Sequence, residues 1–353
     1  MTRVLYIIFA IVIFGVLVGI HELGHFIAAK LCGVRVEEFA IGMGPAIFKR
    51  RRGETLYALR IIPLGGYCAM AGEDEASDDE RAFTNQAPWK RAIILVAGAF
   101  MNFVLGFALI LGVFSDAKVY PAPKFVDFLE GCPYNAEYGF QKDDMVIKID
   151  GRYVFTNEDL IAQIKRKDTH DIVLERGGEL IRLDDYRMVP VKYPGQENKV
   201  YGFTVSGDLA KATFGSYLAY SWDTAKFYVE VVWDSIVQLF TGGVSVNDLS
   251  GPVGIVDIIA DTGESAETTQ DAILNILSLA SFIAINLAIM NLLPIPALDG
   301  GRVFALLITA IIEAFTRKKL DPKYEGYVHA AGMALLIGLM AFVMFNDIVR
   351  IVK

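Results

Sequence analysis

The sequence predicts a polytopic α-helical membrane protein with four transmembrane helices, a cytoplasmic membrane-associated β-hairpin region and an extracytoplasmic α+β domain. Three observations carry that prediction. Of 353 residues, 54% are hydrophobic and 21% charged, with mean hydropathy +0.42, a balance too apolar for an ordinary soluble enzyme. Four stretches, roughly 5–31, 91–114, 272–298 and 328–349, reach the about 20 apolar residues that a bilayer core requires. Basic residues crowd two of the connections: Lys30, Arg35, Lys49–Arg52, Arg60, Lys90 and Arg91 between the first two stretches, and Arg302, Arg317, Lys318, Lys319 and Lys323 between the last two. By the positive-inside rule both connections are cytoplasmic, which puts the N-terminus, the long middle segment and the C-terminus outside. A net charge of −8 and a pI of about 5.2 argue against a nucleic-acid partner. Cys32, Cys68 and Cys132 show no paired spacing, so neither a thiolate metal site nor a disulfide framework is expected.

Residues 1–31 form the first span. Arg3 followed by an apolar run resembles a signal peptide, but the run outlasts a usual h-region and no A-x-A site follows, so a retained helix is expected. Near its end lies Gly19-Ile20-His21-Glu22-Leu23-Gly24-His25. On a helix, His21 and His25 share a face one turn apart and can both turn a ring nitrogen to one metal ion, with Glu22 beside them as a base. The setting is unusual, because ionisable groups at membrane depth are expensive and mark function. Two histidines and an acid satisfied by neighbouring helices is the plainer reading, but it does not account for their shared metal-binding spacing.

Residues 32–89 are read as a β-hairpin region and linker. Val34–Phe39 alternates, Ile41-Gly42-Met43-Gly44-Pro45 is a turn signal, and Thr55–Ile62 alternates again. The acidic run Gly72–Glu80 is a solvated linker with no chemistry. Residues 90–114 are the second span. Residues 115–206 have soluble character: Met145–Ile149 alternates into an Asp150-Gly151 turn, Asn157 caps a helix to about Lys167, and His170 falls in a predicted solvated turn. Within 207–271, the aromatic stretch 214–240 carries Asp223, Lys226, Glu230 and Asp234 and suits an amphipathic helix on the membrane surface.

The third span, 272–299, ends in Asn291-Leu-Leu-Pro294-Ile-Pro296-Ala-Leu-Asp299-Gly-Gly. The charge-derived topology brings Asp299 to the same membrane face as His21 and His25, where a carboxylate would complete a His₂-carboxylate site with one open position. Pro294 and Pro296 cannot continue a helix, so an extended segment with unpaired backbone is expected before Asp299, able to pair with a substrate strand. Residues 300–327 are read as a cytoplasmic loop and 328–353 as the fourth span and C-terminus.

The two motifs together resemble the site-2 protease family of intramembrane zinc metalloproteases (peptidase family M50), in particular the bacterial regulator-of-sigma-E type. Leu249-Ser-Gly-Pro-Val-Gly254, Asn286 and the closing Phe345-Asn-Asp347 resemble that group as well. The resemblance implies that His21, His25 and Asp299 bind one Zn²⁺, that Glu22 is the catalytic base, and that Asn291, with Pro294 and Pro296, helps to hold the substrate backbone. It implies a hairpin at Gly42 and Gly44 that dips beside the active site and meets substrate. The implied substrate is a single-pass membrane protein such as a pre-cleaved anti-sigma factor, with remnant signal peptides as a second class. The implied location is the bacterial inner membrane. Residues 115–206 resemble a circularly permuted PDZ domain, which would take a peptide C-terminus or act as a size filter. Two departures stand out: there is room for one PDZ domain where many relatives have two, and the AGP of span two is Ala97-Gly98-Ala99. The rival readings are a catalytically silent PDZ scaffold, a transporter with His21, Glu22 and Asp299 as an ion relay, and iron at the same ligands.

Overall fold

A computed structural model describes the chain apart from residues 1–2, 74–76, 116, 118, 136–137, 155–156, 197, 212–213, 243–250, 317–322 and 353. Leu249 and Ser250 of the Leu249–Gly254 motif, the basic residues Arg317–Lys319 and the middle of the acidic run lie outside the described residues. The chain divides into two compact units, residues 1–113 with 228–353, and residues 114–227.

The first unit is built on apolar helices. Helix α1 runs Arg3–Cys32, α2 Pro88–Phe114 and α6 Thr269–Asn291, and each is long and apolar enough to cross a membrane. The last helix, α8 (Lys323–Val352), contains a shorter apolar stretch, 330–345. Where α1 and α6 meet α5 (Pro252–Glu264), the buried side chains are mostly small or slender: Ala10, Ala260, Ala272, Ala284 and Ile259 around Tyr6 and Leu17. Between apolar helices in lipid, close approach of small residues replaces the hydrophobic drive available in water. Arg3 adds ion pairs to Asp257, Asp261 and Glu264 on α5, at 2.5, 2.7 and 2.7 Å.

Between α1 and α2 lie two long strands, β1 (Val36–Arg52) and β2 (Thr55–Met70). The turn signal at Ile41–Pro45 is a chain reversal, with Gly42 and Gly44 at φ +85° and +82°: residues 38–41 run alongside 56–59 in the same direction, whereas 46–52 run against 55–60. A second reversal follows at Gly53-Glu54. Glu38–Ile41 also pairs with 66–69. The acidic run is also less idle than expected: Glu73 pairs with Arg302, and Asp79 with Arg35 at 3.3 Å. A 3-10 turn, Phe83–Asn85, leads into α2.

The segment after α6 differs from expectation in two ways. The helix stops at Asn291, and residues 292–298 form consecutive tight turns rather than an extended strand, with Leu293 N–H donating to Met290, Ile295 N–H to Leu293 and Leu298 N–H to Ile295. The prolines end the helix, but short-range carbonyls recover the freed donors. Asp299 then opens a new helix, α7 (Asp299–Thr316), where a loop was expected. An acidic first residue suits the positive end of a helix dipole. Gly300 and Gly301 permit the fold-back, since a Cβ on either would lie 2.3 Å from the Leu292 backbone or 2.1 Å from the Ile295 carbonyl oxygen.

The second unit holds an antiparallel sheet in the order β7 (Glu179–Arg187), β6 (Thr169–Arg176), β4 (Met145–Ile149), β3 (Val119–Phe128), β8 (Phe203–Lys211), with β5 (Arg152–Tyr153) pairing β4. Helix α3 (Asn157–Ile164) adds Leu160 and Ile164 to a core of Phe125, Phe140, Ile149, Ile172 and Leu174. His170 corrects the expectation of a solvated turn. It lies on β6 with 1% exposure, its Nδ1 2.9 Å from Asp150 and its Nε2 3.2 Å from the Ile164 carbonyl. Helix α4 (Phe214–Thr241) is continuous through the stretch expected to be amphipathic.

Candidate metal centre

The His-x-x-x-His spacing falls on regular helix in α1, so both imidazoles leave the same face. Their Nε2 atoms are 3.1 Å apart. The Asp299 Oδ2, from the first turn of α7, lies 3.1 Å from Nε2 of His21 and 3.3 Å from Nε2 of His25. Two elements almost 280 residues apart in the chain thus meet as a triangle of donor atoms. All three side chains are largely buried, and Oδ2 of Asp299 makes no hydrogen bond within the protein. These residues fit a zinc ion: at bond lengths of about 2.0–2.1 Å, tetrahedral ligand atoms stand about 3.3 Å from one another. A buried carboxylate oxygen without a partner is otherwise expensive.

Helix α2 holds the histidines. Nδ1 of His25 lies 2.8 Å from the Ile94 carbonyl, which can only accept, so Nδ1 donates and Nε2 is left free to face the cluster. One turn on, Gly98 provides room: a Cβ there would sit 2.4 Å from Nε2 of His25 and 2.8 Å from Cε1 of His21. A second turn on, the Asn102 amide reaches Nδ1 of His21 at 3.3 Å. Ile94, Gly98 and Asn102 line one face at helical spacing. Of the three, only Gly98 stood out in the sequence, and only as the middle of Ala97-Gly98-Ala99; Asn102 carried a signal, as an amide in an otherwise apolar span.

Glu22, half-buried on α1, lies near enough to His21, His25 and Asp299 to interact electrostatically with all three. Its Cγ faces Gly66 of β2, where a Cβ would come within 3.3 Å, so the strand pair borders the acid. Of the other predicted site residues, Asn291 ends α6 half-buried, Pro294 is exposed in the turns, and Pro296, also exposed, abuts Gly332 of α8. Gly42 and Gly44 lie within β1 as described. None of these five belongs to the metal-binding cluster.

Apolar helices enclosing a His₂-carboxylate cluster with an acid beside it define a membrane-embedded metallohydrolase. Residues 9–339 match peptidase family M50. The chain is 35% identical over 347 residues to the "Putative zinc metalloprotease" of Clostridium perfringens, covering 98% of this chain and 99% of that one. It is 36% identical over 346 residues to a namesake in Clostridium acetobutylicum, covering 97% of each. It is 27% identical over 424 aligned positions to the "Regulator of sigma-W protease RasP" of Bacillus subtilis, covering 97% of each. The chain belongs to peptidase family M50, the site-2 protease family, and is an integral membrane metalloprotease.

Proposed function

We propose that this protein is an intramembrane zinc endopeptidase that cuts single-pass membrane proteins within or beside their membrane-spanning segments. The observation that carries this reading is the convergence of His21, His25 and Asp299 from α1 and α7 with a single donor atom each turned to one point. In this reading the three residues hold the ion. When bound, zinc acts as a Lewis acid toward the scissile carbonyl and lowers the pKa of water. Glu22 takes the proton from the attacking water and passes it to the leaving amine nitrogen. A relay transporter would not need a third donor placed at tetrahedral spacing, and a silent scaffold would not need Glu22.

The substrate helix must unwind before its backbone can be attacked, because its peptide groups are internally hydrogen-bonded. The β1–β2 pair beside Glu22 is a surface on which an unwound segment could lie as an added strand, with Gly42 and Gly44 at the chain reversal within β1 and Asn291 holding the substrate backbone. Ile41, Met43, Ile47, Phe48, Ile61 and Ile62 of this pair are exposed, which suits immersion in the bilayer. We place the site near the cytoplasmic face of a bacterial inner membrane, with four spans if α8 crosses, and residues 114–227 outside the cell.

The outer unit is read as one PDZ domain. Strand β8 ends the order of described strands, Gly202 before it has φ +78°, and Tyr201 Oη donates to the Ile164 carbonyl of α3, an edge strand beside a helix that suits strand addition. A pre-cleaved anti-sigma factor is the favoured substrate, in keeping with the name of the Bacillus subtilis relative; remnant signal peptides are the second class. Cells carrying Glu22→Gln should accumulate a membrane protein already shortened outside the membrane but uncut within it. Membrane proteomes indistinguishable from those of parent cells would contradict the reading.

A further inference from the structure

Asn102 is 1% exposed in the apolar interior of α2, and its two terminal atoms are used unequally. Nδ2 stands 3.3 Å from Nδ1 of His21, whereas Oδ1 is buried with no hydrogen-bond partner. An amide's nitrogen and oxygen are nearly alike in shape, and which is which follows from the hydrogen bonds they can make. For His21 that question has an answer. Its Nε2 is the atom turned toward Asp299 and His25, and a ring nitrogen that holds a metal ion needs its lone pair, so the hydrogen belongs on Nδ1. An Asn102 amide nitrogen at 3.3 Å from that N–H would set donor against donor.

Turning the amide over removes the conflict: Oδ1 then accepts from the His21 Nδ1–H. We propose that Asn102 is a positioning residue, whose carbonyl oxygen fixes the hydrogen of His21 on Nδ1 and so keeps Nε2 open for zinc. The same helix face does this for His25 through the Ile94 carbonyl two turns earlier. Hydrogen bonds of this kind orient a metal-binding histidine and typically change metal affinity by about 10–100-fold.

This proposal rests on the zinc reading of the cluster, and the experiment separates the two. In the full-length detergent-solubilised protein, zinc affinity is measured by competition with a chelator for the parent, Asn102→Leu and Asn102→Asp. Asn102→Leu should bind about 10–100-fold more weakly. Asn102→Asp, which keeps an acceptor oxygen in place, should stay within about threefold of the parent. In ¹⁵N-histidine spectra of the zinc-loaded parent, Nδ1 of His21 should carry the directly bonded hydrogen. Parent-like affinity of Asn102→Leu, Asn102→Asp as weak as Asn102→Leu, or the hydrogen found on Nε2 would each overturn the proposal. Should Asn102→Leu fail to fold, Asn102→Asp and the spectrum decide it. A parent that binds no zinc would overturn the reading of the cluster itself.

Discussion

At the scale of single residues, the candidate ligands and the candidate base are legible in the sequence because their chemistry is local or costly. His21, Glu22 and His25 are set by helical spacing, and Asp299 stands out as a carboxylate at membrane depth. What was not legible is the shell behind them, which depends on how α2 crosses α1. The role of Gly98 is hidden in a run of small apolar residues until the distance from its missing Cβ to both imidazoles is known. Gly98→Val should therefore push the imidazoles out of position. We expect a loss of zinc affinity of at least about tenfold, comparable to removing a partner of a metal-binding histidine, measured by chelator competition with the fold checked by thermal unfolding.

At the scale of elements, apolar runs predicted three of the helices closely, but interruptions were misread. Pro294 and Pro296 signalled a break, and whether the chain then runs extended or turns is decided by packing around Gly300 and Gly301 rather than by propensity. Helix α7 is hidden in the sequence because it follows a proline-broken segment and adjoins a basic connection. The motifs around Gly251 and Asp347 were noticed separately, and the structure joins them: Asp347 of α8, 2% exposed, accepts from the backbone N–H groups of Gly251 and Gly254 at 2.9 Å each, at the start of α5. Asp347→Ala strands two buried donors and should destabilise the protein by about 1–3 kcal/mol, read as a lower thermal midpoint; Asp347→Asn, which keeps an acceptor, should lose less. In the second unit, burial pushes the Asp150 carboxyl upward, but hydrogen bonds from Lys167, His170 and the Asp171 amide outweigh it and hold the pKa at about 2. A depressed carboxyl stabilises the fold above its unfolded pKa of about 3.9 and ceases to as pH falls through the folded value. Asp150→Asn should therefore reduce hydrogen-exchange protection of β4 and β6 at pH 6, and the difference from parent should vanish toward pH 2.

At the scale of the whole molecule, the charge-derived topology and the folded chain meet at one point. The basic connections predict that the end of α1 and the start of α7 share a membrane face, and in the folded chain their side chains come within 3.3 Å. The site draws on α1, α2, β2 and α7, all in one compact unit, while the sheet of residues 114–227 forms its own core. The most direct measurement is cleavage of a single-pass membrane protein by the zinc-loaded enzyme in reconstituted vesicles, with the cut position read by mass spectrometry, for parent and Glu22→Gln at matched zinc content. The account predicts a cut within or next to the membrane-spanning segment for the parent, and a rate at least about 10²-fold lower for Glu22→Gln with zinc still bound one per chain. Cleavage by Glu22→Gln at the parent rate, or parent cuts confined to the parts of the substrate outside the membrane, would contradict it.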